Sequence, residues 1–106
     1  MSTMKAEKLK AELENLETHM GDFRDNKIKM KGDVAYEEQM LTIDDGKTVV
    51  RLHARNIRNV HLEKKAIRIA AMNFEIRQGE DVSVVSGAIK LELKGESEAW
   101  YKELWG

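Results

Sequence analysis

The apolar residues at the start of the chain recur at a spacing that constrains the fold more than any other feature of the sequence. Steps of three and four residues alternate through the set Ala6, Leu9, Leu13, Leu16, Met20 and Phe23. Such steps place side chains on one stripe of an α-helix. Ser2 or Thr3 can act as the N-cap, and Gly21 suits the left-handed conformation that often ends a helix. The pattern predicts an amphipathic helix over residues 4–20.

An amphipathic helix has to bury its apolar stripe, either against its own sheet or against a second copy of the chain. The flanking charges bear on the second case. Parallel pairing would bring like charges together, whereas antiparallel pairing sets Lys10 near Glu17 and Glu12 near His19 of the other subunit. We therefore expect a homo-oligomer formed by antiparallel helix pairing, if the helix associates with itself.

Beyond the predicted helix, apolar and polar residues alternate with a period of two over much of residues 27–94. This pattern predicts an antiparallel β-sheet of about five or six strands, either open or closed as a barrel. Asp44-Asp45-Gly46-Lys47 is typical of a hairpin loop, and Gly32-Asp33 of a turn. A shift of the inward parity predicts a β-bulge at Ala70-Ala71, and Ser86-Gly87 indicates either a hairpin or a kink.

The last residues of the chain indicate a short helix over residues 98–105, with Ser97 as a cap. Its apolar stripe consists of Trp100, Tyr101, Leu104 and Trp105. Aromatic residues at this spacing fit a helix that closes the open end of a sheet, and they also fit an anchor for a partner. Together the patterns predict one α+β domain over residues 1–106.

The sequence contains no cysteine, so disulfides, thiolate nucleophiles and cysteine zinc sites are excluded. The first residues alternate charged with apolar side chains and lack the apolar core of a signal peptide. No stretch approaches the roughly 18 apolar residues of a membrane span. We expect a soluble cytoplasmic protein that does not bind membranes.

Positive charge is concentrated in the middle of the chain, although the net charge is only -1. Residues 47–72 hold seven basic residues against Glu63 alone, while the segments on either side are net acidic. Within this segment Arg51, His53 and Arg55 occupy alternate positions of a predicted strand, and Arg58 follows them. Alternate positions share one face of a strand.

Arginine side chains bind phosphate or carboxylate oxygens, and a histidine adds a donor whose charge depends on pH. We therefore predict a ligand-binding site at Arg51, His53, Arg55 and Arg58. Alternatively, this face is solvated and its cations pair with the acidic segments or with another subunit. Residues 47–72 contain no aromatic residue and the sequence pI is about 6.3. Both facts disfavour nucleic acid relative to an anionic small molecule or an acidic protein surface.

Sequence motifs for catalysis, metal binding and cofactor binding are missing. There is no glycine-rich phosphate loop, the three histidines have no metal-ligand spacing, and no serine stands in a nucleophile motif. We expect a non-enzymatic, oligomeric binding protein without metal or cofactor that docks or sequesters an anionic partner, for example an inhibitor that sequesters a nucleotide. The alternative is a structural or adaptor protein that acts through its helices and uses the basic residues between subunits.

Overall fold

The computed structural model describes residues 3–23 and 26–105, which form eight β-strands, one 3₁₀ turn and one α-helix. The strands are β1 (Met4–Thr18), β2 (Gly21–Asp22), β3 (Ile28–Glu37), β4 (Met40–Asp44), β5 (Thr48–His53), β6 (Ile57–Leu62), β7 (Ala66–Gln78) and β8 (Asp81–Glu92). The 3₁₀ turn spans Ala54–Asn56, and the helix α1 spans Ser97–Leu104. Ser2, one of the two predicted cap residues, lies outside the described residues.

Six of these strands close into an antiparallel barrel. The order around the barrel is β1, β3, β4, β5, β7, β8, and β8 then pairs with β1 to complete the circle. β6 pairs with the first half of β7, and β2 pairs with the end of β1. All of these pairings are antiparallel. Residues that lie directly opposite each other in two paired strands project from the same face of the sheet.

The predicted N-terminal helix is wrong, because the segment forms β1 and pairs with both β3 and β8. Two irregularities in β1 explain the misleading spacing. The register shifts between Ala6 and Leu9 and again beyond Glu14, and Lys8 and Asn15 have positive φ angles of 55° and 54°. Each bulge adds one residue to the strand, so consecutive inward-facing residues are separated by three, two, two and three positions. When the middle residue of this series is left out, the separations are three, four and three, which is also the spacing of a helical stripe.

The predicted α+β class is wrong for the same reason: the described chain is mostly β, and α1 is its single α-helix. Ala11, which falls off the predicted helical stripe, is buried, whereas Met20 on that stripe is 96% exposed. The alternation of apolar and polar residues around Ala11 indicates a strand. The spacing of the leucines is more regular, however, and it favours a helix.

Gly32 lies in the middle of β3 and not in the predicted turn. A Cβ atom at this position would overlap the carbonyl oxygen of Asp44 and lie 2.8 Å from the Cα atom of Asp45. Glycine is therefore required by the close approach of the β4–β5 turn. The chain reverses instead at Glu38 and Gln39, whose φ angles are 52° and 64°.

The predicted hairpin loop at Asp44–Lys47 is confirmed, since β4 and β5 pair on either side of it. The Asp45 carboxylate accepts hydrogen bonds from the backbone N–H groups of Lys47 and Thr48, at 2.8 and 2.6 Å. Ser86-Gly87 lies within the continuous strand β8, so the hairpin alternative is wrong. The predicted bulge is present in β7, displaced to the residues between Ala71 and Phe74.

Inward-facing side chains from all six barrel strands form one hydrophobic core. Helix α1 covers part of it next to β6 and β7, and it buries Trp100 and Leu104. Its position agrees with the predicted short C-terminal helix. Ser97 does not cap it, however: Glu96 is the N-cap residue, and the buried Ser97 hydroxyl has no hydrogen-bond partner. No helix in the described part of the chain is long and apolar enough to cross a membrane.

Candidate functional site

The four residues of the predicted binding site lie on three different elements. Arg51 and His53 project from the outer face of β5, which ends at His53. Arg55 belongs to the 3₁₀ turn that follows, and Arg58 lies on β6. The extended run expected from Arg51 to Arg55 is therefore interrupted, and the alternate positions do not continue along one strand face.

Arg51 stands between polar residues of the neighbouring strands. In the register of the sheet it lies opposite Thr42 of β4 and Glu75 of β7. With Val49 and Arg77, Arg51 and Glu75 line a small groove of about 80 Å³. The carboxylate of Glu75 reduces the positive potential that Arg51 would otherwise give to this groove.

His53, Arg55 and Arg58 take part in other local contacts. The Nδ1 atom of His53 accepts a hydrogen bond of 3.1 Å from the backbone N–H of Arg55, so His53 caps the 3₁₀ turn. The guanidinium Nε of Arg58 lies 2.9 Å from the sulfur of Met72. The structure brings His53 and the Arg55 backbone together, but it gives the four side chains different neighbours.

A more concentrated basic surface lies on the outside of β3, β1, β8 and the turn between β6 and β7. Two adjoining depressions of about 450 and 420 Å³ share Lys90 and Glu92 as lining residues. We call their combined surface the lysine depression. Its charged residues are Lys10, Lys29, Lys31, Lys64, Lys65, Lys90 and Lys94, with Glu12, Glu63 and Glu92.

Strand register assembles this surface from segments that are distant in sequence. One outward row crosses five strands and consists of Lys29 on β3, Glu12 on β1, Lys90 on β8, Arg68 on β7 and His61 on β6. In the next row Lys10 lies opposite Lys31. Because the barrel interior is apolar, the alternate residues of these strands are polar and face solvent.

Two of the three acidic residues of the lysine depression are engaged in ion pairs. Glu12 lies within 4.0 Å of Lys27 and Lys29, and Glu63 lies within 3.8 Å of Lys90 and Arg68. Five of the seven lysines form no ion pair with any residue among 3–23 and 26–105: Lys10, Lys31, Lys64, Lys65 and Lys94. The lysine depression therefore carries an uncompensated positive charge.

Arg68 belongs to the ion-pair network of this face. Its guanidinium Nη1 donates to the Glu14 carboxylate at 2.7 Å. This hydrogen bond lowers the pKa of Glu14 and, in the other direction, raises the pKa of Arg68. Both shifts favour the charged pair, so Arg68 holds β7 and β1 together across β8 and contributes less to the attraction of an external anion.

The sequence contained part of the signal for the lysine depression. Lysines alternate with apolar residues at Lys29 and Lys31 in the first half of β3, and Lys90 and Glu92 alternate at the end of β8, just before Lys94. The sequence does not indicate that β1 pairs with both of these strands, because the apolar spacing of this segment predicts a helix. Within the part of the chain that the structure describes, no three His, Asp or Glu residues come together as a metal site.

Comparison with known proteins found no match to a protein-family model, to a curated protein or to a solved structure. The candidate site therefore stands on its own geometry.

Proposed function

We propose that this protein is a non-enzymatic binding module that docks an acidic protein surface through the lysine depression. The observation that carries the proposal is a group of five lysines that form no ion pair with any described residue. They surround adjoining depressions of several hundred cubic ångströms. Like charges gathered at one place on a protein attract a partner of opposite charge and accelerate its association.

The proposed binding surface is the lysine depression instead of the four residues predicted from the sequence. Arg51 lies opposite Glu75, and His53 caps the 3₁₀ turn. Five of the seven lysines of the depression form no ion pair with a described residue. The kind of partner stays the same, since an acidic protein surface was one of the two anionic partners expected.

A nucleotide, the other expected partner, is less well supported by the chemistry of the lining. Small-molecule sites are concave and largely apolar, with aromatic side chains that contact a base. The residues that line the lysine depression include no aromatic side chain, and its apolar members are Ala11, Met30 and Ala66. Lysine ammonium groups on flexible stems suit dispersed carboxylates better than a single compact ligand.

The alternative function, an adaptor that acts through its helices, loses its main support with the N-terminal helix. The antiparallel helix pairing required residues 4–20 to be helical, and they lie in β1 and the turn that follows it. The cytoplasm remains our proposed location, as expected for a chain whose stability requires no disulfide.

The test compares two triple variants with the same change of charge. The first replaces Lys31, Lys64 and Lys94 of the depression by glutamine, and the control replaces Lys5, Lys47 and Lys102, which lie elsewhere. Polyglutamate is the probe, and isothermal titration calorimetry at several salt concentrations measures its binding. We expect the first triple to weaken binding by about tenfold or more, since each exposed charge contributes up to about 1 kcal/mol.

The control triple should bind polyglutamate nearly as well as the unmodified protein. Equal losses in both triples would mean that net charge alone attracts the probe, and the proposal would fail. ATP serves as a second probe: if it binds more tightly than polyglutamate and the first triple abolishes its binding, the partner is a phosphate-bearing small molecule instead.

A further inference from the structure

The first half of β8 has an open edge. β8 pairs with β7 from Asp81 to Glu92, but it pairs with β1 only at residues between Ser86 and Leu91. On the β1 side, residues 81–85 have no strand partner in the described part of the chain. We call residues 81–85 of β8 the open edge.

The backbone groups at the open edge follow from the hairpin that joins β7 and β8. Gln78 and Asp81 flank a two-residue turn, so they form a hydrogen-bonded pair. Hydrogen-bonded and non-hydrogen-bonded pairs alternate along an antiparallel ladder. Val82 and Val84 therefore point their N–H and C=O groups away from β7, towards the open edge. Their side chains are 49% and 45% exposed on the outer face.

The middle of this edge lacks the charges and prolines with which proteins often protect exposed strands. Such strands are usually short, charged, bulged, interrupted by proline or covered by another element. The outer strand β6 is protected in this way, because it carries Arg58 and His61 and packs against α1. The open edge instead presents Val82-Ser83-Val84, which has no charge and no proline.

We infer that the open edge pairs with the open edge of a second copy of this chain, in antiparallel orientation about a two-fold axis at Ser83. Val82-Ser83-Val84 reads the same in both directions, so Val82 of each copy lies opposite Val84 of the other. These two residue pairs exchange four backbone hydrogen bonds, and their four valine side chains form one apolar cluster on the outer face. A register shift of one residue would set valine against serine and break the cluster.

Charges on the neighbouring strand β7 complement this register. Arg77 lies beside Val82, and Glu75 lies beside Val84. In the paired molecule each outward row begins with Arg77 of one copy, crosses both valines, and ends with Glu75 of the other copy. At the usual strand spacing their Cα atoms are about 14 Å apart, so these opposite charges attract each other across the valines.

A groove separates the end of β1 from the open edge. This groove of about 150 Å³ lies between the Thr18–His19 end of β1 and the side chains of Met72 and Val84. The lysine depression involves the opposite half of β8, at Lys90 and Glu92. Self-pairing is therefore independent of the proposed function, and both surfaces can be occupied in the same molecule.

Sedimentation equilibrium from low micromolar to millimolar protein tests the inference. The pairing surface is small, so we expect a weak dimer whose mass appears at the upper concentrations. Val84→Lys places a charge in the apolar cluster and should keep the protein monomeric. Leu62→Lys is the matched control, since Leu62 is 41% exposed on β6, and it should dimerise like the unmodified protein.

Hydrogen exchange on the unmodified protein tests the same register without any substitution. The amides of Val82 and Val84 should become more protected as the protein concentration rises, while the amides at the outer edge of β6 should not change. A monomeric mass throughout the concentration range would overturn the inference. So would a dimer in which exchange at Val82 and Val84 is independent of concentration.

Discussion

At the scale of single residues, the contact between Glu14 and Arg68 shows how side chains on strands that are not neighbours stabilise the barrel. Glu14 lies on β1 and Arg68 on β7, with β8 between them. The residues opposite Glu14 along its row are Ala88 and Ala70, whose small side chains let the Arg68 guanidinium reach across β8. Since 54 positions separate the two residues, the sequence alone could not predict the contact.

Glu14→Gln should lower the free energy of unfolding by about 0.5 to 1 kcal/mol at neutral pH, as expected for a partly exposed ion pair. The hydrogen bond from Arg68 lowers the pKa of Glu14 below 4.5 in the folded protein. The stabilisation is therefore present above pH 4.5 and is lost as the pH falls through the lowered pKa. Urea unfolding at a series of pH values should show the two proteins converging in acid. A constant difference would contradict this assignment.

Tyr36 should make the protein sensitive to alkali. Burial, and secondarily the charge of Glu103, raises the pKa of Tyr36 above 10.0. The unfolded chain then loses this proton more readily than the folded one, so stability falls as the pH rises from 10 through the raised pKa. Tyr36→Phe should flatten this alkaline decline in the thermal unfolding midpoint. Glu103→Gln removes the smaller cause, so it should flatten the decline less than Tyr36→Phe does.

At the scale of elements, β1 shows that a regular sequence pattern does not always determine the secondary structure of a segment. Its alanine, leucine, lysine and glutamate residues favour a helix, and their apolar spacing fits one. Pairing with β3 and β8 outweighs this local preference, because it buries Leu9, Leu13 and Leu16 inside the barrel. The hairpin at Asp44–Lys47 was predictable because loop residues and flanking alternation agree. The bulged strand was not, because local preference and tertiary pairing conflict.

A peptide that spans residues 4–20 should therefore be partly helical in isolation. Without β3 and β8 its intrinsic propensity decides, although a helix of this length is only marginally stable in water. Circular dichroism should show helix that increases with trifluoroethanol. A peptide that covers residues 28–44 is the control, and it should show much less helix. A peptide 4–20 that stays unstructured in trifluoroethanol would argue against a local helical preference.

The bulge of β1 explains why β8 contains a glycine in its interior. A Cβ atom at Gly87 would lie 2.7 Å from the carbonyl oxygen of Glu14 and 3.0 Å from that of Asn15. Gly87→Ala should therefore destabilise the protein by about 1 to 3 kcal/mol, the usual cost of overpacking. Ala99→Ser, at an exposed position of α1, should change stability little. Chemical denaturation of both variants measures the difference, and equal stabilities would contradict the close approach.

At the scale of the whole molecule, closure of the barrel determines where the charges gather. The basic segment 47–72 was visible in the sequence, but two of its cations, Lys64 and Lys65, meet lysines from β1, β3 and the end of β8 in the lysine depression. Alternation predicted that these lysines face solvent. Alternation did not predict that these lysines share one surface, because this depends on the pairing of β1 with β8. We call this pairing, which closes the barrel, the seam. The same seam ends at Ser86 and leaves the open edge of β8.

A disulfide across the seam tests closure directly. Glu12 lies opposite Lys90 in the register of β1 and β8, and the chain has no cysteine of its own to compete. Glu12→Cys combined with Lys90→Cys should oxidise readily to a monomeric cross-linked protein, and the cross-link should stabilise it by about 2 to 4 kcal/mol because it encloses a long loop. Glu12→Cys with Arg51→Cys is the control, since β1 and β5 are not neighbours. Mass spectrometry and unfolding with and without reductant measure both outcomes. Failure of the first pair to cross-link, or equal cross-linking of both pairs, would contradict the closed barrel. A helical N-terminus, for example, would not hold residues 12 and 90 opposite each other.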